Sequence, residues 1–352
     1  MLVPMLNRAP KTGRTLLAII GLFAASPIAS AANPGLGDLQ STIQSVFQEH
    51  SSAVVRVKVA TETQTGNGEP KVVLRVFSGF FISDKGQVLT SYMPPSETTR
   101  VWIEQNGISY LADILGADAR TNIALLQIIN LPKSFDFIEL VEDKDPQTIG
   151  SFAFAITSPL DFDPTPKFGL VTGFESHFAE VEFPFTYTRL SIPIGPAEGG
   201  SPAFDANNEL IGIVMATLPE VNSSYIIPTK ALARIVGQIK EYQKVRYGVI
   251  PISFEEKADS YNQSKRVLIK SIVPGSPAER SGLRPKDILL SLDDASANSL
   301  NEVRNQIFIK TPGDFILFKV KRDDKELEFA ILLEPQEDHI RSSDTRDDPK
   351  QQ

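Results

Sequence analysis

A glycine-rich loop is the stretch of this sequence whose residue types and spacing could do chemistry. It runs from Gly195 to Asp205 and reads Gly-Pro-Ala-Glu-Gly-Gly-Ser-Pro-Ala-Phe-Asp. Gly199 and Gly200 permit backbone angles that side chains forbid, and Ser201 supplies a hydroxyl. An attacking hydroxyl needs a neighbouring base that takes its proton. The loop is therefore a candidate site of nucleophilic chemistry only if the chain also supplies a base.

The candidate bases are few. The sequence has three histidines, which are His50, His177 and His339. None of them follows a pattern that would direct it at the loop, and no spacing supports Lys167 or Glu198 as an unusual base. We interpret Ser201 as a loop hydroxyl that makes local hydrogen bonds. A peptidase with Ser201 as a displaced nucleophile remains the alternative.

Composition excludes several other chemistries. The chain has no cysteine, which rules out thiol catalysis and zinc bound by cysteine. Its formal net charge of −8 argues against binding of nucleic acid and of anionic lipid. No spacing of carboxylates matches a metal motif. We therefore predict no metal and no cofactor.

The N-terminus has the anatomy of a secretory signal peptide. Three basic residues precede an apolar run, and they are Arg8, Lys11 and Arg14. The run from Leu16 to Ala25 is too short to span a bilayer, which needs about 20 residues. Cleavage after Ala31 would change the net charge from −8 to −11. We expect a periplasmic or secreted protein with no membrane span after cleavage.

Short apolar stretches separated by turn residues recur through the first two thirds of the chain, and they predict many short β-strands. The stretches interpreted as strands are 54–59, 72–77, 79–82, 101–103, 109–114, 123–129, 152–156, 169–174, 187–194, 203–204 and 210–215. Helical spacing predicts an amphipathic helix over 36–50 and another over 229–242. We expect Thr229 to cap the second helix. The sequence is therefore mostly β, in a barrel or a sandwich.

Three stretches resemble motifs of the HtrA/DegP-like serine proteases. Residues 78–90 are similar to the segment before that family's general-base histidine. Residues 116–126 are similar to the segment around its orienting aspartate, and 195–213 to its nucleophile loop and the following hairpin. The resemblance implies a trypsin-like double six-stranded β-barrel.

The resemblance assigns the catalytic triad to positions that hold Met93, Asn122 and Gly199. The Met93 thioether cannot accept a proton near neutral pH, Asn122 is uncharged, and Gly199 has no side chain. A serine protease needs a hydroxyl, an imidazole and a carboxylate in linked roles. We therefore predict a degenerate triad with no catalytic residue, and a chain that is not an enzyme.

A second unit follows the barrels and resembles a PDZ domain of the HtrA type. Residues 273–288 read V-P-G-S-P-A-E-R-S-G-L-R-P-K-D-I, which is similar to the family's recurring phrase except that Lys286 stands where glycine is usual. A PDZ fold takes an extended peptide as an added strand. The residues predicted to bind peptide are Tyr247, Gly248, Val249, Ile250, Leu300, Val303 and Ile307.

These observations divide the chain into five parts. The predicted boundaries are a signal peptide at 1–31, a trypsin-like domain at 32–228, a connecting helix and linker at 229–246, an α+β PDZ-like domain at 247–335, and a disordered tail at 336–352.

The function we expect from this sequence is that of an exported pseudoprotease in envelope protein quality control. Its predicted partners are peptides or unfolded exported proteins, including their C-terminal tails. It could also scaffold or modulate an active homologue, as a homo-oligomer or a hetero-oligomer. The alternatives are the peptidase that uses Ser201 and a structural oligomer component without peptide binding.

Overall fold

The computed structural model describes residues 34–64, 66–67, 69–141, 147–178, 181–258 and 265–336. The predicted signal peptide lies outside the described residues, and so does the predicted tail from residue 337 onward. Residues 34–39 are the first turns of helix α1, and the described residues from 40 to 336 form one compact unit.

The first barrel is closed by six strands in the order β1-β2-β3-β6-β5-β4. Its strands are β1 (Val54–Gln64), β2 (Pro70–Phe81), β3 (Gln87–Ser91), β4 (Thr99–Gln105), β5 (Ile108–Asp118) and β6 (Ile123–Ile128). Alternating side chains point inward, as in Thr99–Gln105, where every second residue is buried. The predicted strands 72–77 and 79–82 are one continuous strand, β2.

The second barrel has the same closed form, in the order β10-β11-β12-β9-β8-β7. Its strands are β7 (Phe152–Thr157), β8 (Thr165–Phe178), β9 (Val181–Leu190), β10 (Pro202–Phe204), β11 (Leu210–Leu218) and β12 (Ser223–Pro228). Strand β9 ends at Leu190, earlier than predicted, and the chain then reaches Pro193, which has no N–H for a ladder. The predicted double six-stranded barrel is confirmed.

Two helices accompany the barrels. Helix α1 covers Pro34–His50, and α2 covers Thr229–Tyr242, as the helical spacing predicts. The prediction that Thr229 caps α2 is wrong. Pro228 is the N-cap residue and makes no side-chain capping bond, because β12 runs directly into the helix and Thr229 is already its first helical residue. Two short 3₁₀ turns complete this half, at Ser51–Ala53 and Pro219–Val221.

The α+β PDZ-like domain contains a sheet in the order β14-β15-β16-β18-β19, with β17 paired to β16 and a separate pair β13-β20. Its elements are β13 (Gly248–Val249), β14 (Ile252–Ala258), β15 (Lys265–Ile272), α3 (Pro277–Arg280), β16 (Ile288–Leu292), β17 (Ala295–Ser296), α4 (Leu300–Phe308), β18 (Phe315–Arg322), β19 (Lys325–Leu332) and β20 (Glu334–Pro335). Ser276 and Ser299 cap α3 and α4 through their side chains.

Candidate functional site

The glycine-rich loop is held by the first barrel. The Ser78 amide donates to the Gly199 carbonyl oxygen at 3.0 Å, and the Ser78 hydroxyl donates to the Ala197 carbonyl oxygen at 3.0 Å. Gly200 has a φ of +89°, and a Cβ there would overlap the Ser78 carbonyl oxygen. Only glycine fits such a position without strain. The loop conformation therefore depends on Gly200 in one barrel and Ser78 in the other.

A buried carboxylate ties the loop together from inside. Glu198 is 2% exposed, and its Oε2 accepts from Lys167 Nζ at 2.6 Å and from the Gly195 amide. Its Oε1 accepts from the Thr157 hydroxyl at 2.8 Å. Buried charges occur where they are paired and hydrogen-bonded in this way. Glu198 is thus bonded to groups on β7, β8 and its own loop, which gives it a structural role.

Two of the positions assigned to the triad lie at the junction of the barrels. Met93 is fully buried among the apolar side chains of the first barrel. Asn122 has a φ of +60°, its carbonyl oxygen accepts from the Tyr92 amide at 2.9 Å, and its Nδ2 donates to the Met215 carbonyl oxygen at 3.0 Å. Asn122 therefore joins β11 to the segment that carries Met93.

Two hydroxyls lie near the third position, Gly199. A Cβ on Gly199 would be 2.9 Å from Ser91 Oγ. Ser201 is fully buried, and its hydroxyl donates to the Glu198 carbonyl oxygen at 2.7 Å, which is the local bond that the sequence predicts. The sequence reasoning missed Ser91, because β3 is far from the loop along the chain and only the barrel packing brings the two together.

One described histidine, His50, contacts the C-terminal end of the 195–205 stretch. The His50 ring stacks on Phe204 with centroids 4.3 Å apart, and its Nε2 lies 2.9 Å from the Asn208 carbonyl oxygen. His50 is half-buried, which differs from the surface position expected of it. His177 is exposed near the end of β8, and His339 lies outside the described residues. His50 thus holds the end of α1 against the second barrel.

The edge of the PDZ-like sheet faces a helix. Among the described strands, β14 pairs with β15 and with no other, and α4 lies alongside it. Leu300 and Ile307 of α4 and Ile252 and Phe254 of β14 are partly buried against the same core, whereas Val303 is 2% exposed and lies inside it. The sequence reasoning missed Phe254 and most of β14, although apolar residues at 252 and 254 were a signal of alternation.

One end of this cleft is tied by a carboxylate. Glu256 Oε2 accepts from the Leu300 amide at 3.1 Å, which joins β14 to the first residue of α4. Its Oε1 pairs with Lys265 Nζ at 2.7 Å. The hydrogen bonds from Lys265 and from the Leu300 amide lower the pKa of the Glu256 carboxyl, although burial opposes them.

The four consecutive residues predicted to bind peptide, Tyr247 to Ile250, contact different parts of the structure. The Tyr247 hydroxyl donates to Asp118 Oδ2 at 2.6 Å, so it faces the first barrel. Gly248 and Val249 pair with Pro335 and Glu334 in β20. Ile250 is partly buried against the PDZ-like core. The turn therefore lies at the start of β14, with its tyrosine directed away from that strand.

The junction between the domains is aromatic and cationic. Phe308 of α4 packs on Phe185 of β9 with ring centroids 4.2 Å apart. The Arg234 guanidinium lies 4.5 Å from the Phe308 ring centroid and donates to the Arg246 and Lys310 carbonyl oxygens. Burial lowers the pKa of Arg234 and, together with Asp118, raises that of the Tyr247 hydroxyl. The PDZ-like domain is thus docked by specific polar contacts as well as by rings.

Two features are absent from the described residues, a cluster of metal ligands and a membrane-spanning helix. Among these residues, no group of three or more His, Asp or Glu side chains could hold a metal ion. No described helix has both the length and the apolar character that crossing a bilayer requires.

Comparisons with known proteins agree with this architecture. A family model described as trypsin-like peptidase domain matches residues 77–213, and one described as PDZ domain matches 248–333. The periplasmic pH-dependent serine endoprotease DegQ of Escherichia coli is 26% identical over 354 residues, covering 93% of this chain and 76% of DegQ. A probable periplasmic serine endoprotease of Chlamydia trachomatis, DegP-like, is 25% identical over 279 residues, or 75% of this chain.

Solved structures show the same fold. The HtrA-type protease AlgW, in a structure with a tripeptide, has a TM-score of 0.65 at 20% identity and covers 84% of this chain and 97% of its own. This chain spans about 55% of the length of the DegP-like relative from C. trachomatis.

The relatives contradict the prediction that this chain is not an enzyme. They are named serine endoproteases, and that points to peptidase activity. The prediction rested on side-chain types at Met93, Asn122 and Gly199. Those residues exclude only a triad built at those three positions, and catalytic triads are recognised by geometry and roles rather than by position. The prediction is therefore corrected.

The chain has a trypsin-like double barrel followed by a PDZ domain. It is similar along most of its length to DegQ and to a DegP-like protein. The two domain matches and these relatives together support assignment of the chain to the HtrA family.

Proposed function

We propose that this chain binds extended polypeptides of an exported compartment by adding a peptide strand to β14. The observation that carries the proposal is the position of β14 at the end of the sheet order, where β15 is its one partner among the strands that the structure describes. An edge strand offers unpaired N–H and C=O groups to another chain. Peptides that bind PDZ folds use such an edge.

The side chains around β14 support an apolar ligand. Ile252 and Phe254 on the strand and Leu300 and Ile307 on α4 are partly buried against the same core, on a strand and a helix that lie in contact. Their remaining exposed area would be buried by a peptide with apolar residues at alternate positions, which face one side of a strand. The binding preference we propose is therefore for alternating apolar sequences, as exposed in unfolded proteins.

The turn before β14 offers few free amides. Pro251 has no N–H, and the Ile252 amide already donates to the Ile250 carbonyl oxygen at 2.7 Å. We therefore propose that the peptide backbone is held mainly from Ser253 onward. The roles of Tyr247, Gly248 and Val249 in holding a C-terminal carboxylate stay predictions.

Compartment and domain organisation are part of the same proposal. The relatives are named periplasmic, and the AlgW structure contains a tripeptide, which supports a periplasmic protein that binds peptides. The proposed boundaries are a barrel domain at 32–228, a connecting helix and linker at 229–246, and a PDZ-like domain at 247–335. Assembly with itself or with a homologue stays a prediction.

The test uses the chain from residue 32 and a fluorescent decapeptide with alternating apolar residues. N-methylation at every second peptide amide removes backbone donors without changing the protein. We expect one of the two alternating methylation registers to lower the affinity at least about tenfold, because two or more ladder bonds of about 1 kcal/mol are lost. The other register should bind nearly as well. Amidation of the peptide C-terminus measures the contribution of the carboxylate separately.

Protein variants complete the test. Ile307→Glu, which places a charge in the cleft, should abolish detectable binding. Val72→Glu is the control, because Val72 is 61% exposed on β2 of the first barrel. Equal affinity of both methylation registers, together with unchanged binding by Ile307→Glu, would contradict strand addition at β14.

Peptide hydrolysis is the second candidate function, because the relatives are named endoproteases. The hydroxyls nearest to the loop glycine Gly199 are Ser91 and Ser201. A fluorophosphonate probe and a casein digestion assay test the chain directly, with Ser91→Ala and Ser201→Ala as the two informative variants. Labelling lost in one variant would identify the nucleophile. Absence of both labelling and digestion in the unmodified chain would contradict this candidate.

A further inference from the structure

A partly open pocket lies where three parts of the fold meet, away from both the glycine-rich loop and the β14 cleft. Its volume is about 450 Å³, within the range of small-molecule sites. It is bounded by the end of the second barrel on β8, β9 and β11, by the first turn of α2, and by the last turn of α4.

A buried hydroxyl that lines this cavity has no described partner. Thr188 is 4% exposed, and its side chain makes no hydrogen bond within the described residues. Buried polar atoms are nearly always hydrogen-bonded, and leaving one unsatisfied costs about 1–3 kcal/mol. The Thr188 hydroxyl is therefore suited to bond a ligand in the cavity.

The same cavity is positively polarised. The first turn of α2 lines it with Thr229, Lys230 and Ala231, and the N-cap Pro228 makes no side-chain capping bond. The first turn of a helix leaves backbone N–H groups unsatisfied and carries partial positive charge. Lys230 forms no ion pair with any described residue, and none of the described residues that line the cavity is Asp or Glu. Charge and free donors together favour an anion.

The remaining walls are apolar. Phe174 and Ile211 belong to the barrel, and Phe308 and Ile309 to the end of α4. The Asn305 side chain crosses between the two domains, because its Oδ1 accepts from the Thr186 amide at 2.8 Å. A ligand with an apolar body would fill the space between these rings and aliphatic chains, with its polar head at the α2 terminus.

We propose that this cavity binds a small carboxylate with an apolar body. The carboxylate accepts from the α2 first turn, from the Lys230 ammonium and from the Thr188 hydroxyl, and the apolar body packs on Phe174, Ile211 and Phe308. A fatty acid and the C-terminal residue of a peptide share this chemistry. The ligand contacts the barrel and the PDZ-like domain at once, so it strengthens their docking.

The experiment is calorimetric titration of the chain with decanoate, with decanamide as the uncharged match, and with the dipeptide N-acetyl-Leu-Phe as the peptide source. Decanoate or the dipeptide should bind with saturation at one site, and decanamide at least about tenfold more weakly, because charge-assisted bonds to the carboxylate are lost. The relative affinity of decanoate and the dipeptide distinguishes the two sources.

Two variants locate the site. Lys230→Met should weaken carboxylate binding about tenfold, and Thr188→Val about fivefold, without loss of folding, since valine matches threonine in shape and removes an unpartnered hydroxyl. Lys240→Met is the matched control on the far end of the same helix and should leave affinity unchanged. Failure of both carboxylates to bind at millimolar concentration, or equal affinity in Lys230→Met and the unmodified chain, would overturn the proposal.

Discussion

At the scale of single residues, Glu198 is the group on which the glycine-rich loop depends. We expect Glu198→Gln to lower the free energy of unfolding by about 1–3 kcal/mol, because Lys167 loses its buried charged partner and one acceptor becomes a donor. Urea denaturation measures this change. Glu220→Gln is the control, since Glu220 is exposed in a surface 3₁₀ turn. Equal effects of the two substitutions would contradict the structural role of Glu198.

Substitution by alanine should change the stability of the chain in opposite directions at two glycines. Gly200→Ala should destabilise the chain by about 3 kcal/mol or more, because φ is +89° and the new Cβ would overlap the Ser78 carbonyl oxygen. Gly237→Ala should stabilise it by about 0.5–1 kcal/mol, since Gly237 lies in α2 with open space around it. Thermal unfolding of both variants checks the sign, and a destabilised Gly237→Ala would count against the helix geometry.

The residue scale also shows what sequence can and cannot predict. The conformational freedom needed at Gly200 follows from its place in a loop, and the local bond of Ser201 was expected. The role of Glu198 was not, because its partners Lys167 and Thr157 come from β8 and β7. Ser91 was missed for the same reason. Contacts between strands that are distant along the chain depend on barrel closure, which local patterns do not encode.

At the scale of elements, the contact between β14 and α4 depends on one carboxylate. Hydrogen bonds from Lys265 and the Leu300 amide lower the pKa of Glu256, so the ionised form stabilises the folded state. This stabilisation is present above the unfolded pKa of about 4.3 and is lost as pH falls through the lower folded value. The melting temperature of the unmodified chain should therefore exceed that of Glu256→Gln at pH 7.

The difference should disappear in acid. At a pH below the folded pKa of Glu256, both chains carry a neutral side chain at this position, and their melting temperatures should converge. Glu255→Gln is the control on the same strand, because Glu255 pairs with Lys257. A constant difference between the unmodified chain and Glu256→Gln across this pH range would show that the charge of Glu256 does not support the contact.

Elements with a strong period were predicted best. Helix α2 covers Thr229–Tyr242 as predicted, because Leu232, Ile235, Val236 and Ile239 recur at helical spacing and form one buried face. Strand β14 was largely missed because the charged run Glu255-Glu256-Lys257 interrupts its alternation. An edge strand beside a helix tolerates such charges, since they remain partly exposed. On the strand side of the groove, the residues predicted from the sequence to bind peptide therefore end at Ile250, before β14 begins at Ile252.

At the scale of the whole molecule, the order of domains was predictable and their docking was not. Tyr247 looked like part of a peptide-binding turn, yet its hydroxyl donates to Asp118 of the first barrel. Arg120 lies over its ring with the guanidinium carbon 4.5 Å from the centroid. Phe308 packs between the second barrel and Arg234. These contacts form only when three segments that are distant along the chain meet, and no local motif predicts them.

Tyr247 makes the docking testable. Tyr247→Phe removes one hydrogen bond to the Asp118 carboxylate while keeping the ring under Arg120, and should lower the free energy of unfolding by about 1–3 kcal/mol. Hydrogen exchange should rise in α4 and β9, where the domains touch. Tyr110→Phe is the control, since Tyr110 packs within the first barrel.

The pH dependence of this junction has a defined sign. Burial and Asp118 raise the pKa of the Tyr247 hydroxyl, so the folded state holds its proton more tightly than the unfolded chain does. Its stabilising contribution is complete below the unfolded value of about 10 and is lost as pH rises above it. The unmodified chain should lose stability above about pH 10 more steeply than Tyr247→Phe. Parallel losses in the two chains, with unchanged exchange in α4, would mean that the domains dock through Phe308 and Arg234 without help from Tyr247.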